Sequence, residues 1–347
     1  MNRALVFALL CFIALCVGIY LSLPHTEISI GSFSSFSLQE ESTPEQEPVK
    51  SKIRFVGDVM LSRNVEHLMD VYGSMYPFEA LPFLPEDSYL VGNFEGSVPK
   101  VHVPTKSMEF SFSVEERHVA GLSEYGFTHL GLANNHSYDF GVDDYKHTSE
   151  VLSKDFKVFG DQKAPSYESV ALIETASSTV AIVGIYAVDA APEKSEIEEI
   201  LRYAESMSTH QVVYVHWGTE YALTHSAFQE NLAKLLIDVG ADAVVGHHPH
   251  VVQDIGIYKG SPIFYSLGNF VFDQYFSSEV QMGLMLELSP SETALSFALI
   301  PVSSIGSRSQ VRVSGQYERD LLLQEIAKKS DPALLEEIQN GYIESAF

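Results

Sequence analysis

The chain has 347 residues, with 21 lysines and arginines against 46 aspartates and glutamates, a formal net charge of −25 with histidine neutral. A surface this acidic repels nucleic acid and anionic lipid headgroups, and no basic cluster interrupts it, so a nucleic-acid partner is excluded. The two cysteines, Cys11 and Cys16, lie in the N-terminal apolar segment, so the rest of the chain offers no disulfide, thiolate ligand or cysteine nucleophile, and any metal must be held by nitrogen and oxygen.

Residues 4–23 form a charge-free, almost wholly apolar run of 20, long enough to span a bilayer as a helix. Arg3 precedes it, so the positive-inside rule places the N-terminus in the cytoplasm and the remainder outside. A cleaved signal peptide is the rival reading, but its apolar region is usually shorter and no A-x-A site follows. Ile13 to Cys16 is faintly like a lipoprotein box, yet apolar residues continue past Cys16. The expectation is therefore an uncleaved, single-pass signal anchor (residues 1–23) in the cell membrane, with the folded part extracytoplasmic. Residues 24–52 are rich in Ser, Glu, Gln and Pro and read as a flexible tether.

The folded part is expected from Ile53. Ile53 to Val56 reads as a strand ending at Gly57 and Asp58, followed by a helix to about Val71. Tyr89 to Val91 is the next strand, ending in Asn93, Phe94 and Glu95. A helix over 114–125 closes at Gly126, and His129 to Ala133 leads into Asn134, Asn135 and His136. Asp143 to Asp155 reads as a helix, Val180 to Ile185 as a buried strand, and Glu193 to Ser208 as an acidic amphipathic helix. Val212 to Val215 is a strand ending at His216, and Ala227 to Val239 is a helix. Ala243 to Val245 then breaks at Gly246 before His247, His248 and His250. Ile263 to Tyr265 is one more strand, and residues 280–302 resemble a hairpin. From about Gly306 a Ser-rich stretch leads to helices over Tyr317 to Lys329 and Pro332 to Gln339, read as a C-terminal appendage (306–347) on the core domain (53–305).

Alternating strands and helices predict an α/β fold. Asp58, Glu95, Asn135, His136, His216, His248 and His250 each follow an apolar strand. In open α/β sheets ligands bind outside the carboxyl ends of the strands. Histidines two apart on a loop can aim both rings at one point, and neutral imidazole is a common ligand for zinc, iron and similar ions. Pro249 is expected to hold the preceding His248 extended and so preset the spacing of the pair. The oxygen and nitrogen donors suit one or two divalent ions: manganese, iron, zinc or magnesium. His25, His67, His102, His118, His129, His147, His210 and His225 fit no constellation.

The segments Gly57-Asp58-Val59-Met60-Leu61 with Arg63, Asn93-Phe94-Glu95, and Ala133 to His136 with Asp139 and Gly141 carry a wider likeness. So do His216-Trp217-Gly218 with Glu220 and Tyr221, Gly246 to His250 with Gln253, and Tyr265 to Phe270. Together, in this order, they resemble the bacterial CapA family, also called PgsA, associated with capsule and poly-γ-glutamate synthesis. That family is similar to calcineurin-like metallophosphoesterases, which implies a sandwich of two β-sheets flanked by helices and a two-metal site. The resemblance implies metal roles for Asp58, Asn135, His216, His248 and His250, and a proton-donor role for His136. Two positions differ from the superfamily pattern: Met60 stands where a histidine is usual, and Asn93 where a bridging aspartate is usual. The carboxylate role then falls to Glu95, and fewer than two tightly held ions are expected. Asp139 can orient His136, or serve as a turn or capping residue. Arg63, Asn93, Glu220 and His247 are candidates for contact with substrate; Arg63 and Glu220 also read as ordinary surface charges, and His247 as a metal ligand or a structural residue bonded to backbone.

Two functional classes follow. One is a membrane-tethered, non-catalytic component of a polymer synthesis or export complex, working with other membrane subunits on an anionic polymer. The other is an extracytoplasmic metal-dependent hydrolase of a phosphoester or a γ-glutamyl amide. Either requires the stated topology. Protease added to intact spheroplasts is expected to degrade residues 53–347, and full protection would contradict the orientation.

Overall fold

The strands that carry the fold are apolar on both faces, which requires a layer on each side of every sheet. The computed structural model describes residues 50–82, 87–106 and 109–346. The expected anchor and the tether as far as residue 49 lie outside the described residues; within them no helix is long and apolar enough to cross a membrane.

The first half of the domain contains β1 (Lys52–Val59), α1 (Arg63–Tyr72), β2 (Ser88–Phe94), α2 (Glu116–Tyr125), β3 (His129–Gly131), α3 (Val142–Leu152) and β4 (Lys157–Phe159). The second half opens with β5 (Val170–Glu174), β6 (Thr179–Ala187), α4 (Lys194–Met207), β7 (His210–Trp217), α5 (Ala227–Asp238) and β8 (Ala243–His247). It closes with β9 (Ile255–Tyr258), β10 (Ser261–Phe264), β11 (Asn269–Val271), β12 (Met282–Pro290), β13 (Ala294–Ser303), β14 (Arg312–Val313), α6 (Gln316–Lys329), α7 (Leu335–Asn340) and β15 (Tyr342–Ala346).

These strands form two sheets, so the chain is mixed α/β. One runs β14-β13-β12-β1-β2-β3-β4, with β11 pairing β1 and β15 pairing β13; the other runs β5-β6-β7-β8-β10-β9. Side chains alternate between the faces of each strand. Val212 and Tyr214 of β7 therefore point into the core between the sheets, with Phe55, Val91 and Phe264. Val213 and Val215 face the opposite way, onto Ile197 and Leu201 of α4 and Leu232 and Leu236 of α5. The outer face of the first sheet is covered by Val65 and Met69 of α1, Leu122 of α2 and Val151 of α3.

Several short strands escape the sequence reading. Lys157–Phe159 is three residues long, Ile255–Tyr258 contains Gly256, and Tyr342–Ala346 follows a helix-closing Gly341. Each owes its extended form to pairing with a neighbour rather than to its own pattern. The C-terminal segment supplies β15, antiparallel to β13, and Leu323, Ile326 and Ile338 enter the inter-sheet core.

β1 does not stop at Gly57. It continues to Val59, so Asp58 lies within the strand, opposite Asn93 of β2 and Asn269 of β11. The register shifts between Phe55 and Asp58, a bulge that re-aims the side chains beyond it. Only glycine fits at position 57, because a Cβ there would lie 1.9 Å from the Gly268 carbonyl oxygen. Gly57→Ala is expected to destabilise the domain by about 1–3 kcal/mol through overpacking. Urea unfolding reads this, and an unchanged midpoint would contradict the close approach.

Candidate metal centre

Both sheets deliver donor atoms to one place at the carboxyl ends of their parallel strands. Asp58 comes from β1, Asn93 and Glu95 from the end of β2, and Asn134 to His136 from the turn after β3. The second sheet contributes His216 from β7 and His247 from β8, followed by His248 and His250. Asp58 and Glu95 are fully buried, as is His247.

Asp58 sits at the middle. Asn93 Nδ2 donates to its Oδ1 at 2.8 Å, and the His248 amide lies 3.4 Å from its Oδ2. His250 Nδ1 is 3.2 Å from Oδ2 and 3.0 Å from Asn269 Oδ1. Asn93 Nδ2 also faces Glu95 Oε2 at 3.5 Å and His216 Nδ1 at 3.2 Å, while His216 Nε2 lies 2.8 Å from Asn135 Oδ1. Donor atoms of Asp58, Glu95 and His216 fall within 4.8 Å of one another, as do those of Glu220, His248 and His250. Glu95 Oε1, His248 Nδ1 and both His247 nitrogens are buried without a hydrogen-bond partner among the described residues. Buried polar atoms in native proteins are normally satisfied, so orphans grouped around a carboxylate fit a cation site.

The charges point the same way. Burial opposes ionisation of Asp58, but His247 and His250 outweigh it and hold the carboxyl well below its usual range. Burial raises Glu95 well above that range, against the pull of His250. Burial and then His248 drive His216 well down; burial and then His250 push His248 down to about 4. Burial also opposes protonation of His250, yet Glu95 and Asp58 raise it to about 9. In the chain by itself, the His250 imidazolium thus offsets the Asp58 carboxylate, while burial favours the protonated form of Glu95.

The His136–Asp139 pair lies at the edge. His136 Nδ1 meets Asp139 Oδ2 at 2.9 Å, and that same oxygen accepts the Phe112 amide at 2.6 Å. Phe112 stacks on the His136 ring with centroids 3.9 Å apart, and His136 Nε2 points toward Glu95 Oε1 at 3.8 Å. Asp139 therefore holds a ring and a backbone amide together.

Some expectations need correcting. His248 is not extended: its φ is +95° and that of His250 is +59°. Left-handed backbone at a non-glycine residue costs about 1–3 kcal/mol and survives where surroundings enforce it. Here Pro249 O accepts the Tyr221 amide at 2.8 Å, and Gln253 Nε2 donates to Ala222 O and Thr224 O, clamping one loop onto the other. Arg63 is neither a free surface charge nor a free anion ligand. It is paired with Asp273 and lies over the Phe112 and Phe272 rings. His247 is not bonded to backbone; it packs on Tyr214 at 4.0 Å and lies 3.5 Å from Asp58. Glu220 is exposed at the rim. Met60 is fully buried among apolar side chains, its sulfur accepting the Ser62 amide at 3.0 Å.

Sequence reasoning left Asn134, Asn269 and Phe112 without roles. Asn134 Nδ2 donates to Asn93 Oδ1 at 3.0 Å and to the Phe94 carbonyl at 2.8 Å, fixing Asn93. Motif membership marked both asparagines, but nothing local marked Phe112.

Residues 52–274 match the family described as Bacterial capsule synthesis protein PGA_cap. The chain belongs to this family. It is 35% identical over 252 residues to the Capsule biosynthesis protein CapA of Bacillus anthracis, covering 66% of this chain and 61% of that protein. It is 33% identical over 242 residues to the PGA biosynthesis protein CapA of Bacillus subtilis strain 168, covering 63% of each. The match thus spans about three fifths of these relatives. Among solved structures, a hypothetical protein from Thermus thermophilus aligns with TM-score 0.43 and 17% identity over 76% of this chain and 98% of its own. A putative 5'-nucleotidase from Staphylococcus aureus aligns with TM-score 0.42 and 12% identity over 76% and 53%.

His250 links this centre to pH in two opposite ways. Its raised proton affinity stabilises the metal-free fold fully below the ordinary value of about 6.5. That contribution is lost as pH rises through about 9. Metal binding requires the neutral ring, so affinity should climb over the same interval. His250→Ala is expected to flatten the stability slope of metal-free protein, and a metal affinity independent of pH would contradict this account.

Proposed function

We propose that this PGA_cap protein is a membrane-anchored, extracytoplasmic component of capsule or poly-γ-glutamate synthesis or export, built around a divalent-metal centre of calcineurin-like type. The observation that carries the metal reading is the convergence of Asp58, Glu95, His216, His248 and His250 from both sheets, with orphaned donor atoms among them. The polymer assignment rests on family membership and on the capsule and PGA biosynthesis for which the two Bacillus relatives are named. The anchor reading rests on the apolar run at residues 4–23.

Asp58, Glu95, Asn135, His216, His248 and His250 would hold one or two ions of manganese, iron, zinc or magnesium. Such an ion supplies Lewis-acid polarisation of an anionic or carbonyl oxygen. Cationic help at this centre is otherwise scarce, because the Arg63 guanidinium is already committed to Asp273. A polyanion therefore needs the metal to offset the chain's own negative charge.

A second reading, hydrolysis of a phosphoester or a γ-glutamyl amide, is favoured by the His136–Asp139 pair. Asp139 fixes the Nδ1 proton of His136, leaving Nε2 to carry a proton toward a leaving oxygen or nitrogen. Phe112 covers one ring face and excludes water from it.

Elemental analysis and thermal melts of the purified protein test the proposal. Binding to the folded state alone stabilises it by about 2.7 kcal/mol at a hundredfold excess over Kd. Chelator is expected to lower the melting temperature, and His248→Ala to abolish that sensitivity. Identical melts with and without chelator, in protein carrying no metal, would make the histidines structural and sink both readings. Turnover lost in His136→Ala with metal retained would select the hydrolase.

A further inference from the structure

A second group of donor atoms lies apart from this centre, where α1, residues 102 and 113–115, and the start of α2 meet. Oxygens of Glu66 and Glu115 and a ring nitrogen of His102 come within 4.8 Å of one another. We propose that Glu66, His102 and Glu115 form a second site for a divalent cation of the zinc or manganese class, one that braces the loop covering His136.

Glu66 points to a ligand. It is 4% exposed, and its Oε2 is buried without a hydrogen-bond partner among the described residues. A carboxylate oxygen withdrawn from water and left unpaired is costly unless a cation or a proton meets it. His102 is oriented as a metal-bound histidine would be. Its Nδ1 lies 2.8 Å from Ser113 Oγ, and its Nε2 faces Glu66 Oε1 at 3.0 Å. Ligating histidines generally use the second ring nitrogen in this way, which sets the tautomer and the aim of the first.

The local charge fits as well. Asp70 adjoins the group, making three carboxylates with Glu66 and Glu115. One guanidinium, Arg117, meets Asp70 at 2.7 Å and Glu115 at 2.8 Å. His118 Nε2 also contacts Asp70, at 2.8 Å. Three carboxylates against one guanidinium leave two negative charges when both imidazoles are neutral, which one divalent ion would balance. Two carboxylate oxygens and one imidazole nitrogen are a borderline donor set, the kind that zinc and manganese accept.

The consequence reaches the main centre. Ser113 and Glu115 flank Val114, directly after Phe112, whose ring stacks on His136 and whose amide holds Asp139. An ion tying this strip to α1 would fix the cover of His136 without touching it.

Full-length protein equilibrated with zinc and desalted is the sample, and elemental analysis is the readout. Asp58→Asn is expected to retain one equivalent, and Asp58→Asn with His102→Gln to retain none. In the otherwise intact chain, His102→Gln should lose one equivalent, as should Glu66→Gln. His102 is partly exposed and tolerates glutamine more readily than the buried Glu66 site, so it decides the matter should Glu66→Gln fail to fold. Wild-type stoichiometry in His102→Gln, or no zinc in folded Asp58→Asn, overturns the proposal.

Discussion

The structure is organised around the burial of one carboxylate. Asp58 is withdrawn from water at the junction of two sheets, and an isolated charge there would be expensive. Its partners come from four other elements: Asn93 from β2, Asn269 from β11 by way of His250, and His247 and the His248 amide from β8 and its loop. None of these groups is positioned by its own helix or strand alone. The relation between the sheets is therefore also the geometry of the centre, and the glycine at 57 that lets β1 and β11 approach is part of it.

Around that carboxylate, asparagines take work that charged groups do in a richer metal site. Asn134 holds Asn93 through its Oδ1, which turns the Asn93 amide hydrogens toward Asp58, Glu95 and His216. An amide in that place cannot bridge two cations as a carboxylate would. Met60, two residues beyond Asp58, is likewise buried, among apolar side chains. The loop bearing His248 and His250 keeps two left-handed residues, and the neighbouring loop from Gly218 to Ser226 clamps it through Tyr221 and Gln253. Backbone strain is concentrated where donor atoms converge, as expected when surroundings rather than local preference set a conformation.

The acidic balance constrains any partner. With a net charge of −25 and Arg63 internally paired, attraction for a polyanion has to come from bound cations or from another protein.

Much was legible from residues alone. Apolar runs closing in Asp58, Glu95, His136, His216 and His248 announced strands with polar donor groups at their ends, because side-chain period and burial are local properties of the chain. The amphipathic helices were likewise readable to within about three residues, and Gly126 ends one of them in a left-handed conformation. What the sequence could not disclose depends on contacts between distant segments. The short strands β4, β9 and β15 exist by pairing; Arg63 is neutralised by Asp273, 210 positions away; Phe112 reaches His136 across a loop. His102, one of the histidines outside every sequence pattern, meets Glu66 36 residues distant. Hydrophobic period is written residue by residue, whereas the partner of a buried charge is chosen only when the sheets and loops close around it.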